Sequence, residues 1–165
     1  MKRFLLVSMS IAIFAACAGS PKQSTDSAGG ADRAQFTPVS GMLLRRCGSL
    51  DCHGRIYRNF RLVGVGGRRL DDKYYPDGPA TTEDEIDHNF QAILGIEPEI
   101  MRTVIAEGGA NPQRLTVVRK GRGSEDHKGG QRIGLGDDAD ICLTSWLASD
   151  VDSDACARAT TQRLP

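Results

Sequence analysis

Cysteine placement constrains this chain more than any other feature. The 165 residues carry five cysteines, at positions 17, 47, 52, 142 and 156. The chain opens on Lys2-Arg3, runs through the apolar stretch FLLVSMSIAIFAA at residues 4–16, and reaches Cys17. A charged start, a short apolar run and small residues at a cleavage position mark an export signal, and the run is too short to be read as a membrane span. An exported chain meets an oxidising compartment, where thiols are bridged, ligated or modified. The even set beyond the signal, Cys47, Cys52, Cys142 and Cys156, is therefore expected to leave none free.

Phe14-Ala15-Ala16-Cys17 resembles the lipobox of bacterial lipoprotein precursors, with Phe14 where leucine is usual. The resemblance implies a signal peptide at residues 1–16 and a diacylglycerol thioether on Cys17. The other reading is an ordinary secretory signal with an incidental cysteine. Several acyl chains would hold the protein stably where one holds it marginally. Ala18 after the cysteine implies sorting to the outer membrane, with the domain facing the periplasm. Of 21 basic and 21 acidic residues, removal of the signal takes Lys2 and Arg3, leaving 19 basic against 21 acidic and a net charge of −2. With no basic excess and aromatics at only 5%, nothing points to nucleic acid. The expected partners are the lipid membrane, through Cys17, and a redox protein of the envelope.

Residues 18–37, AGSPKQSTDSAGGADRAQFT, are small and polar without an apolar period. With Cys17 they are read as a lipidated, flexible tether spanning 17–37, followed by one domain at 38–165. The chain's 19 glycines and few aromatics suggest a modest core, helped by cross-links or a bulky apolar cofactor.

Val39, Met42 and Leu43 predict a short helix running into Cys47, ended by Gly48. Residues 55–75 read as extended chain or loop. Thr82 and Glu85 have capping-box spacing, and Ile86, Phe90, Ile93 and Leu94 then share a face. Gly95 stops that helix. Pro98 starts another with Met101, Val104 and Ile105, ended at Gly108-Gly109. Leu115-Thr116-Val117-Val118 is expected to be a short strand or extended crossing, and residues 121–136 a glycine-rich loop bearing His127. A further helix begins near Asp137 or Asp138 and carries Cys142 and Trp146. Asp150 or Ser153 is expected to cap a last turn with Cys156. The fold class expected is mostly α: a small helical domain with long loops.

The stretch CGSLDCHG, residues 47–54, carries the chemistry. Covalent haem attachment needs two thiols to add across two vinyl groups and an imidazole beside them to bind iron. Its common spacing is C-x-x-C-H; here four residues separate the cysteines. The motif CHG, the segment RNFRLVGVGGRRL, the EDHKGG loop and the helix ending SWLAS resemble, in that order, exported c-type cytochrome domains. The resemblance implies haem c held by Cys47 and Cys52, with His53 as proximal ligand and His127 in the loop over the other face. It also implies a cytochrome c-like domain in which the first helix crosses the Trp146 helix, and Gly54 would let the backbone approach the porphyrin. Cys142 and Cys156 would then form a disulfide. The four-residue spacing departs from the common pattern, and no Met-Pro loop supplies a methionine.

Two other readings of the same residues stay open. Cys47 and Cys52 can close a small disulfide loop with His53 a surface residue, or they can contribute to another metal site. His88 and Met101 are further candidates for the sixth position; their plainer roles are surface and core. Arg45, Arg46, Arg55, Arg58 and Arg61 flank the motif as a solvated rim or as partners for propionates. Glu83, Asp84, Glu85 and Asp87 suit a helix start. No G-x-S-x-G, H-E-x-x-H or P-loop is present, so the sequence reads as an electron carrier or a binding module rather than a hydrolase.

Overall fold

Six helices and the loops between them make up the computed structural model, which describes residues 31–75 and 78–162. The expected signal peptide, Cys17 and the first part of the tether lie outside the described residues. In chain order the helices are α1 (Phe36–Cys47), α2 (Glu83–Leu94), α3 (Pro98–Ala106), α4 (Thr116–Gly121), α5 (Asp138–Leu147) and α6 (Ser153–Thr161). No strand occurs among the described residues, which hold one isolated bridge, Val63 to Arg68. The mostly helical class is as expected.

α1, α5 and α6 pack against one another, with α2 docked on α1. Phe36, Phe90 and Trp146 meet at the centre. Phe36 lies 5.0 Å from the Trp146 ring and 5.2 Å from Phe90, both as tilted or edge-on pairs. All three are buried, and the indole N–H donates to the Asp32 carbonyl at 3.2 Å. Such pairs add about 1 kcal/mol to their area burial. A Cys142–Cys156 disulfide ties α6 to α5, as expected from the sequence.

Packed chain begins earlier than Pro38. Ala31 and Phe36 are buried, and Arg33 bonds Asp87 and, at 2.9 Å, Glu83. Residues 31–37, read as the end of a tether, therefore lie against the domain. A polar composition concealed this, because the segment contributes one large apolar residue and one ion-pairing arginine rather than a period.

Local signals placed α2 correctly. The Thr82 hydroxyl accepts from the Glu85 amide while the Glu85 carboxylate accepts from the Thr82 amide. Glu85 is wholly buried and also takes the Arg69 guanidinium at 2.8 and 3.0 Å and the Leu70 amide. Burial pushes the Glu85 carboxyl up, but Arg69 and the two amides outweigh it and hold it at about 2. The acidic helix start thus anchors the preceding loop as well as suiting the dipole.

Two expectations about secondary structure are corrected. Residues 116–118, expected to be extended, begin α4. Its first turn is capped from a distance: Glu97 accepts from the Thr116 amide at 2.6 Å and from its hydroxyl at 2.8 Å. The last helix is capped by Asp152, not Asp150 or Ser153, through the Ala155 amide.

Candidate functional site

The CGSLDCHG loop folds back on the end of α1. Gly48 N donates to Leu44 O, ending the helix, and Cys52 N and Gly54 N both donate to Ser49 O. His53 N then returns to Cys47 O at 2.9 Å. The four intervening residues are taken up in a turn, so the long spacing still brings Cys47, Cys52 and His53 to one place. A Cβ on Gly54 or Gly67 would stand 2.2 or 2.1 Å from the Gly48 carbonyl oxygen. The close approach that needs Gly54 is therefore to the chain's own backbone, which corrects the expectation that it faces a cofactor.

His53 is oriented by a single bond. Its Nδ1 lies 2.7 Å from the Phe60 carbonyl oxygen, with the Phe60 ring 4.9 Å from the imidazole. A carbonyl can only accept, so Nδ1 carries a proton, and in the neutral ring the lone pair is on Nε2. That is how metal-binding imidazoles are held, the outer hydrogen bond setting both tautomer and ring plane.

Cys47 and Cys52 are not joined; both thiols are free. Burial pushes the Cys47 thiol up to about 12, and the nearby Cys52 pushes the same way against weaker opposition from Arg132 and Arg46. Such a thiol is protonated and a poor nucleophile.

His127 reaches the same place from the opposite loop. Its ring centroid is 6.4 Å from that of His53, with the planes 22° apart. The loop that carries it is pinned at both ends. Arg122 meets Asp140 through two bonds of 2.7 and 2.9 Å, and the amides of Arg132 and Ile133 both donate to Gly121 O. A Cβ on Gly129 would stand 2.6 Å from His127 Nε2, so a larger residue there would displace the His127 ring. The His127 Nδ1 is buried without a hydrogen-bond partner. Desolvation lowers the His127 pKa, and the neighbouring His53, Lys120 and Arg132 lower it further, favouring the neutral ring that can act as a ligand.

Between these groups lies a cavity of about 650 Å3, lined by Cys47, His53 and His127 and by the apolar side chains of Leu43, Phe60, Ile96, Val117 and Ile133. A second lobe of about 530 Å3 includes Cys52, Lys128 and Gly129 and shares His53, Arg58, Lys120, His127 and Arg132 with the first. The volume and apolar lining suit an organic ligand. Among the described residues no three His, Cys, Asp or Glu side chains converge on a metal position.

The other candidates lie elsewhere. Met101 is in the core, and His88, half-buried, accepts from Arg61 Nε at 3.4 Å. Arg46 is buried, bonding Ala159 O and Gln162, so it does not belong to a solvated rim. Lys120 and Arg132 are site residues that sequence reasoning missed, since one sits in the last turn of α4, whose start was read as extended, and the other sits in a loop read as polar.

No protein-family model matches the chain, and neither a curated protein nor a solved structure matches it.

Proposed function

We propose that this protein is a membrane-tethered electron carrier of the bacterial envelope, with one haem c attached at CGSLDCHG. The observation that carries the reading is the Phe60 carbonyl on His53 Nδ1, which in the neutral ring leaves the lone pair on Nε2, with the free Cys47 on the larger lobe of the cavity and the free Cys52 on the smaller.

The residues present fit that group. Attachment adds each S–H across a vinyl double bond, sulfur to one carbon and hydrogen to the other, so nothing is lost or oxidised. The turn at residues 48–52 holds the two thiols for this. His53 would bind iron from one side and His127 from the other. The two ring centroids stand 6.4 Å apart with their planes 22° apart. Leu43, Phe60, Ile96, Val117 and Ile133 would exclude water from the apolar faces. Haem supplies a one-electron couple whose potential follows its axial ligands and burial.

Acylation of Cys17 would keep the domain near envelope redox partners. The test is a visible spectrum, oxidised and reduced, of chain exported from a host with haem-attachment machinery. A Soret band with sharpened reduced bands is expected, and His127→Ala should change the ligand-field features while the Soret band survives. A colourless chain would end the reading.

A further inference from the structure

Three cations on the cavity wall, Arg58, Lys128 and Arg132, have no ion pair among the described residues, while Lys120 pairs with Glu125. Arg58 Nε donates to the Cys52 carbonyl. Arg132 lines both lobes, and its Nε is buried without a hydrogen-bond partner. Its main chain is fully engaged, the amide donating to Gly121 O and the carbonyl accepting from Arg46 at 3.5 Å. The side chain is thus delivered into the cavity from a fixed backbone. Arg132 is half-buried as a residue, but a buried donor without a partner is costly, and at a cavity wall it calls for an acceptor. Asp51, exposed, is the one acidic residue along the smaller lobe.

We infer that Arg132 is the seat for a carboxylate of the ligand that fills this cavity, with Lys120 and Lys128 beside it. This rests on the haem reading for the ligand's identity, so the carboxylate is a tetrapyrrole propionate. Guanidinium is the group suited to the task, its N–H donors being set in a fork that fits a carboxylate. Apolar side chains on the larger lobe then take the ring system, and the basic residues select the end at which the carboxylates lie. The ligand's charge also offsets the penalty that Arg132 carries in the empty cavity.

Iron-free protoporphyrin tests the seat without any axial ligation. The mature chain, produced without haem attachment, is titrated by fluorescence with protoporphyrin IX and with its dimethyl ester. The diacid is expected to bind about tenfold tighter or more, the value of a charge-assisted hydrogen bond. Arg132→Gln should bring the two ligands within about twofold, while Arg132→Lys keeps most of the preference. Unfolding midpoints of both variants show whether the fold is intact. Should Arg132→Gln not fold, Arg132→Lys and the wild-type ratio decide. Equal binding of diacid and ester, an unchanged ratio in Arg132→Gln, or no porphyrin binding would each overturn the seat. Haem attachment is read separately by mass. A chain that takes haem but shows no diacid preference keeps the haem reading and loses the seat, and the converse result keeps the seat and loses the haem reading.

Discussion

The two ends of this domain are built on opposite terms. At one end α1, α5 and α6 close around Phe36 and Trp146 and are cross-linked through Cys142–Cys156. Apolar groups there find partners, and the indole N–H has its acceptor. At the other end two loops, residues 48–75 and 122–136, face each other across a cavity. Two buried donor or acceptor atoms, His127 Nδ1 and Arg132 Nε, lack partners there. Unsatisfied polar atoms are expensive in a packed interior. Their clustering beside His53 and the two free thiols is what supports the proposal that a non-protein group completes this end.

Substitutions can break that comparison. The largest loss is expected from Trp146→Ala, about 4 kcal/mol of stability in urea unfolding, because it removes the largest buried side chain and leaves Phe36 and Phe90 lining a void. Glu85→Gln should come next, at about 3 kcal/mol, since it strands the buried Arg69. Acid titration probes the same pair. The Glu85 carboxyl is held down at about 2 from an ordinary 4.5, so its contribution is complete above about pH 4.5. It fades as pH falls towards 2, and wild type should lose stability over this window more steeply than Glu85→Gln. Reducing Cys142–Cys156 should cost about 3 kcal/mol or somewhat less, given the 14-residue separation.

The site end should behave differently. Gly129→Ala is expected to change stability by about 1 kcal/mol or less, yet to displace His127 and alter the spectrum of the haem-loaded chain. If it cost as much as Trp146→Ala, the loop would belong to the core and the contrast between the two ends would collapse.

The same contrast explains what the sequence made legible. Helix α2 could be read because its signals are local: Thr82 and Glu85 three residues apart, then an apolar face ended by Gly95. Helix α4 could not, because its first turn is capped by Glu97 from another element, and six residues are too few for a period. CGSLDCHG and the HKGG loop marked the chemistry by residue type. Their meeting across 6.4 Å depends on the Arg122–Asp140 pair and on the doubly used Gly121 carbonyl. Arg132 had no signal at all, since only the folded chain shows that no carboxylate among the described residues pairs with it.

The most direct test of the account is the intact mass of the mature chain with peptide mapping of residues 47–58, after export from a host that attaches haem. The account predicts a mass increased by one haem and a peptide in which Cys47 and Cys52 carry it together, with neither thiol available to alkylation. A chain lighter by one hydrogen pair at that peptide would mean a Cys47–Cys52 disulfide and contradict it.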